Sequence, residues 1–444
     1  MFEDDDEGIR ELLQAEEEAD DALEVLMQDL LSSSDEEEAS FGGSRVGKAP
    51  NKNRDFAGAY NKLVKDYFSR VESVYDEVDF ERRFRMPRPI FDSIWREVHG
   101  RDPFIQKRDM FGKLGIHPLC RFTACLRYLA YGDAYDREDE NLYISETSLL
   151  YSVKALCKIL KDLYGGRYLN RCPTQSEREM ILQASSAKGF PGLLGSWDCK
   201  HFNWKNCPMR WAGQHKGHAE GGKKTLILEA VADHRRYIWY SNFGDPGSLN
   251  DLNVLGKSSI VGSMLNGTLD LRVQPYSING NERDWAYFLV DGIYPDWAIF
   301  VKTFSEKNTD KKTVFGDKQE AVRKDIECAF GILVAKFHVL ARPLRGWYLE
   351  ELQLVLDACV ALHNMVVEYR TSSGPDQEEE EAMERGFPLF GKNQITAEQA
   401  MAEGVDLFAA RLGKFSVTME SEYLHFQLKN DLIDHVYRKF RGGH

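Results

Sequence analysis

Asp198, Asp251, Asp291 and Glu327 are the residues of this chain whose types and spacing could do chemistry together. Asp198 closes the apolar run LLGSWD and Asp291 closes AYFLVD, each reading as the end of a strand. Glu327 lies in QEAVRKDIECAFGILVAKF, a helical pattern with Val322, Ile326, Phe330, Leu333 and Phe337 as its core stripe. Carboxylates are costly to bury unpaired, so several aimed at one spot point to bound divalent cations, Mg²⁺ or Mn²⁺. A pair of such ions is suited to phosphodiester chemistry.

Each acid also has a plainer reading. Asp198 could simply start the turn after its strand, although Asp291 followed by Gly292 repeats the same arrangement. Arg323, Glu327 and Gly331 lie four apart on one helix face, where an Arg–Glu pair in solvent contributes only about 0.3 kcal/mol. Ser248 and Asp251 match S-x-x-D, so Asp251 either closes a capping box or faces the strand edge as a ligand. Cys199, His201 and Cys207 are close enough in sequence to suggest zinc, yet their spacing matches no standard ligand pattern.

The elements that must position these acids are legible as a change of period. Apolar residues recur at three- and four-residue spacing through Tyr60–Val74, Pro89–Val98 and Leu119–Tyr131, which predicts helices over 56–185. After the turn at Gly132–Asp133, Ser145 begins a capping-box-like start to another helix, so a helix-turn-helix and a plain helical bundle are both open readings. From Leu193 the runs LLGSWD, TLILEAV, YIWYSN and AYFLVD predict strands, with a helix from Ser248, a strand near Ala298–Phe304 and a long helix from Gln319 to Leu340. That is the order of an RNase H-like mixed sheet. A last amphipathic helix is expected over 349–370, then an acidic linker and a weakly helical tail over 371–444 with no readable motif.

The formal charge of −14 is unevenly spread. Residues 1–40 hold 17 acids and one Arg, and 371–444 hold 13 acids and 8 bases, so the ends carry −16 and −5 and residues 41–370 carry +7. The basic middle is compatible with a polyanionic partner. The first forty residues cannot bury enough surface to offset chain entropy and read as disordered, with Ile9–Leu31 able to fold as a short helix on a partner. The basic stretch to Arg54 reads as a linker or a weak nuclear-import signal, so 1–55 stands apart from the folded chain. No run of eighteen apolar residues occurs and the start is acidic, which points to a soluble intracellular protein with reduced core cysteines.

The strings GSWDCKHFNWKNCP, KKTLILEAVADHRRYIWYSNFGDPGSLNDLNVL, YFLVDGIYPDW, QEAVRKDIECAFGILVAKF and DACVALHNMVVE resemble the PIF/Harbinger transposase family. FRMPRPIFDSIW and RYLAYGD resemble the helical region that precedes its catalytic domain. The resemblance implies an α/β, RNase H-like endonuclease domain over 186–370 behind a helical DNA-binding-like domain over 56–185. It implies catalytic roles for Asp198, Asp291 and Glu327, with Asp251 as an alternative or additional metal ligand. It also implies cut-and-paste chemistry on the duplex DNA of element termini, a nuclear location, a separate Myb-like partner and a homo-oligomeric form as one open state. Lys200, Lys205, Arg210, Lys216, Lys223, Lys224 and Arg323 are the candidate phosphate contacts. Lys336 stands where relatives often show Arg, which weakens the case for a phosphate contact there. A host-adopted derivative that binds DNA or a partner without cutting, and a nuclease for RNA–DNA hybrids, are the competing readings.

Overall fold

The computed structural model describes residues 52, 54–69, 73–217, 222–265, 269, 271–304, 308–371, 419 and 421–441. The expectations for the acidic start, the import signal and the 372–418 linker lie outside the described residues. The chain is mixed α/β, helices first and a mixed sheet after. No described helix is long and apolar enough to cross a membrane.

The helical part contains α1 (Phe56–Leu63), α2 (Glu77–Phe84), α3 (Arg88–Val98), α4 (Pro118–Tyr131), α5 (Arg137–Leu142), α6 (Glu146–Tyr168) and α7 (Gln175–Ala187). Its boundaries follow from local chemistry. Pro89 and Pro118 sit in the first turns of α3 and α4, where a missing N–H costs nothing. Thr174 and Glu177 close a reciprocal capping box on α7. Gly132 ends α4 at φ +60°, and a Cβ there would lie 2.7 Å from the His338 carbonyl oxygen. Only glycine lets α4 pack so closely on the turn at 338–340.

Ser145 occupies the cap position of α6, but its side chain makes no capping bond. The short α5 intervenes between α4 and α6, and α6 buries Leu149, Val153, Leu156 and Leu160 in a bundle with α4 and α12 (Leu349–Thr371). One continuous apolar cluster runs from Leu63 in α1 to Val366 in α12, so bundle and sheet share a core.

The five-stranded sheet has the order β3-β2-β1-β6-β7, built from β1 (Leu193–Asn203), β2 (Thr225–Ala232), β3 (Ile238–Pro246), β6 (Tyr287–Val290) and β7 (Phe300–Lys302). β1, β2 and β3 pair antiparallel, while β1–β6 and β6–β7 pair parallel. Every residue of β2 is buried, which is why TLILEAVA does not alternate, and its one carboxylate, Glu229, accepts from Trp197 Nε1 and the Tyr240 hydroxyl. The short α8 (Ala212–His215) lies between β1 and β2. The helix expected from Ser248 is instead two short ones, α9 (Asp251–Leu255) and α10 (Ser259–Leu265). The long helix is α11 (Asp310–Lys336), starting nine residues before the expected Gln319 and giving way to a 3₁₀ turn at His338–Leu340.

A hairpin of β4 (Arg272–Ile278) and β5 (Asn281–Trp285) is inserted before β6. Its turn is Asn279–Gly280, both at positive φ. That dipeptide is the strongest short hairpin signal, and the sequence reading passed over it.

The tail without a readable motif contains α13 (Glu422–Arg441), which packs on α11 and completes a second core. Leu428, Leu432, Ile433 and Val436 meet Leu193, Tyr287, Leu289, Val301 and Phe315 there. Leu432 is fully buried, so Leu432→Ala should cost about 2–5 kcal/mol in urea unfolding. A cost below about 0.5 kcal/mol, as for an ordinary surface position, would mean that the helix is only loosely attached.

Both edges of the five-stranded sheet are capped by hydrogen bonds from side chains and, beside β7, by one main-chain carbonyl. On β3, the Asn364 amide accepts from Ile238 N at 2.9 Å and donates to Ile238 O at 2.8 Å, and Asn170 Oδ1 accepts from Ser241 N at 2.7 Å. Beside β7, His425 Nδ1 donates to Trp297 O and Phe300 O at 3.0 and 2.9 Å, and Ala298 N donates to Met419 O at 2.8 Å. Open strand edges invite pairing with other chains, and these side chains stand in for the missing neighbours.

Candidate active site

β1 does not end at Asp198, as the sequence suggested, but continues to Asn203. What ends is its parallel partner: β1–β6 pairing stops at Ser196↔Leu289 and β6 itself at Val290. Asp198 pairs onward with Ala230 of β2 alone, beside the gap that opens where β6 turns away into Asp291. The geometry of a strand end is therefore supplied by the neighbour.

α11 brings Glu327 to the same end. Gln319, Arg323 and Glu327 recur every four residues and share one helical face. Gln319 is fully buried, and its amide donates to Val290 O at 3.2 Å and Val301 O at 3.1 Å, tying α11 to the ends of β6 and β7. Sequence reasoning missed this positioning residue, although its spacing from Arg323 and Glu327 was there to be read. Of the expected stripe, Ile326, Phe330, Leu333 and Phe337 are buried and Val322 is half-buried, packed against the second core. Gly331 is exposed with open space around it, so among the described residues it serves no close backbone approach.

Asp251 is not a capping residue. Asn250 caps α9 by accepting from Asn253 N at 2.9 Å, and Asp251 is the first residue of the helix itself. Burial raises the Asp251 carboxyl above its usual range, the charge of Asp291 adds to this, and His201 and the Cys199 thiol oppose it.

Asp198 is the most perturbed of the four. Its carboxyl is pushed up to about 6, chiefly by burial and further by the charges of Asp251 and Glu327. The N–H of Cys199 donates to Oδ1 at 2.9 Å and Arg323 Nη1 to Oδ2 at 3.3 Å, and both pull the other way. The second Arg323 nitrogen reaches Glu327 Oε1 at 2.9 Å, so one guanidinium bridges the first and last acids. Asp198 thus senses Asp251 and Glu327, and Asp251 senses Asp291. Among the described residues, no three acid, imidazole or thiol side chains are drawn tightly enough to form a ready metal cage. The donors are all carboxylate oxygens, the chemistry of a hard divalent cation, and the bridging arginine supplies the positive charge that this cluster needs.

The sequence-nominated zinc residues go separate ways. Cys199 Sγ faces the buried Tyr294 hydroxyl at 3.7 Å, His201 Nδ1 faces Thr225 Oγ1 at 2.9 Å, and Cys207 donates to Pro208 O. Tyr294, from DGIYPDW, is a second missed neighbour of the site. Burial drives its hydroxyl far above the ordinary range, so it stays a neutral donor.

The candidate phosphate contacts fall in two groups. Arg323 stands among the acids and Lys200 two residues beyond Asp198. Trp204 N donates to Lys224 O and Gly217 N to Lys223 O, and Lys216 bridges Lys224, so Lys205, Lys216, Lys223 and Lys224 gather at the far end of the β1–β2 pair. Arg210 is exposed on the intervening segment. Lys336 is elsewhere: burial, with Arg370 close by, lowers its ammonium to about 8, and Glu81 opposes the shift, so it belongs to the packing between α11, α12 and α2.

The sequence model described as plant transposon protein matches residues 166–373, from the end of α6 to the end of α12. A second, for a domain of unknown function, matches residues 60–99 over α1 to α3. No curated protein and no solved structure matches the chain. The first match takes in all four acids, Gln319 and Arg323, and it supports a transposase-related family for this chain.

Proposed function

We propose that this protein is a metal-dependent DNA endonuclease of the PIF/Harbinger transposase type, with an RNase H-like catalytic core. The observation that carries the reading is the gathering of Asp198, Asp251, Asp291 and Glu327 about one end of the β1–β6 pair, where burial and neighbouring carboxylates raise Asp198 and Asp251 and Arg323 bridges Asp198 to Glu327. The strand order and directions, three antiparallel strands joined to two parallel ones, support it further.

Asp198, Asp291 and Glu327, with Asp251 beside them, would hold one or two Mg²⁺ or Mn²⁺ ions, which when bound supply an activated water and then an activated 3′-hydroxyl for attack on phosphate. Gln319 holds the α11 face in register with the strand ends. Arg323, once Glu327 is drawn to a cation, has a guanidinium free to donate to a phosphate oxygen. The lysines at the far end of β1–β2 bind the DNA backbone without reading sequence. The Myb-like partner and nuclear location belong to the same proposal.

Supercoiled plasmid nicking in Mn²⁺ tests it. The wild type should nick, and chelation or Asp198→Ala should remove the activity. The Arg323 bridge favours one alternative, a host-adopted derivative that binds DNA or a partner without cutting. Tight DNA binding with no strand cleavage would select that reading, and cleavage of RNA–DNA hybrids alone would overturn both.

A further inference from the structure

Between α3 and α4 the chain forms a small, rigid hairpin whose tip points two large apolar side chains into solvent. Met110 is 89 % exposed and Phe111 86 %. Isolated exposed apolar residues are ordinary, but two adjacent ones held on a pinned turn are not. The pinning is extensive. Asp109 N donates to Lys113 O and Gly112 N to Asp109 O. The Asp109 carboxylate turns inward to accept from Phe111 N and Lys113 N, both at 2.9 Å. Arg108 Nη1 donates to Gly112 O at 2.8 Å, Arg108 bridges Leu114, and Gly112 takes a φ of +78° that suits glycine.

Cations outnumber acids around the tip. Lys107, Arg108 and Lys113 lie on its two arms, Lys107 paired with Asp102 at 2.6 Å, while the acid within the loop turns Oδ1 to the backbone. An apolar pair flanked by cations on a stiff projection is the form of a wedge that enters a DNA groove and unstacks a base step, the cations resting on the phosphates. A helical partner would instead call for a groove, and the hairpin offers a point.

We infer that the 105–116 hairpin is a DNA wedge, with Met110 and Phe111 inserted at a base step of the duplex the protein holds. The inference rests on the DNA reading above and adds a contact that neither the acids nor the β1–β2 lysines supply. Inserting the tip would bend the duplex and fix where the protein sits along it.

The test uses the full chain and a duplex carrying 2-aminopurine. Wild type should raise the 2-aminopurine fluorescence on binding, and Met110→Ser/Phe111→Ser should abolish that rise and weaken binding about tenfold, the size expected for one lost stacking contact. Phe111→Trp should retain binding, with its emission quenched by DNA. A double serine variant that unstacks and binds like wild type, or Phe111→Trp emission that ignores DNA but changes with protein concentration, would overturn the wedge and leave the nuclease reading standing. A wild type that binds no DNA would remove both.

Discussion

Replacing Asp198 with asparagine should lower metal-dependent nicking by about 10³-fold or more while raising the melting temperature at neutral pH. The two effects have one cause. With its carboxyl pushed from 3.8 to about 6, Asp198 is ionised at neutral pH at a cost of about 3 kcal/mol. Asparagine keeps the shape and removes the charge. Part of the gain is offset because the Arg323 bond at 3.3 Å loses its charged acceptor, so a net stabilisation of about 1–2 kcal/mol, or about 2–6 °C, is expected.

The sign follows from the raised folded-state value. Above about 6 the cost of ionisation is fully present in the native protein, and it shrinks as pH falls toward the unfolded value near 3.8. The advantage of Asp198→Asn should therefore be largest at pH 7–8 and vanish near pH 4, read by thermal scans across that range. Saturating Mg²⁺ should erase it from the other side, since an ion bound only to the native wild type stabilises that form alone. A variant that nicks within tenfold of wild type, or that loses activity only because it unfolds, would sink the assignment.

The largest stability loss is expected at a residue far from the acids. Asn364→Ala removes an amide that satisfies three buried main-chain groups at once: Ile238 N, Ile238 O and, at 2.9 Å, Tyr168 O. Their partners cannot be replaced by water in this setting, because Asn364 and its surroundings are fully buried. Three stranded polar groups and the small cavity should together cost about 3–5 kcal/mol by urea unfolding. Nicking by the fraction that remains folded should be unchanged. A loss below about 1 kcal/mol would mean that the edge of β3 can find other partners.

What could be read in advance divides along a physical line. The strands and the long helix were legible because burial imposes a period, and β2 announces itself as a short run that is mostly apolar on both faces. Asp198 and Asp291 stood out as candidates because an Asp at the end of an apolar run is hard to explain by packing. The cap on α9 was not, since Asn250 and Ser248 both suit a cap and only the backbone decides between them. Gln319 and Asn364 were not singled out because their partners are main-chain atoms, and a bond to a carbonyl leaves no mark at the position that supplies it. The role of α13 was hidden for a related reason. Its apolar face is complementary to a surface assembled from β1, β6, β7 and α11, and no local pattern shows what that face will meet.

Capping of both margins of the five-stranded sheet by amides, an imidazole and a main-chain carbonyl carries a consequence for how copies of the protein meet. On the function proposed above, two DNA ends would have to be brought together, and a half-open sheet would offer the quickest route to joining subunits, by adding strand to strand. Here that route is blocked, and the chain is protected from templated fibre growth at those margins. On that proposal a synapse would draw on helix faces, projecting loops, the separate β4–β5 hairpin and the DNA itself. Such contacts can be made when DNA arrives and released when it leaves.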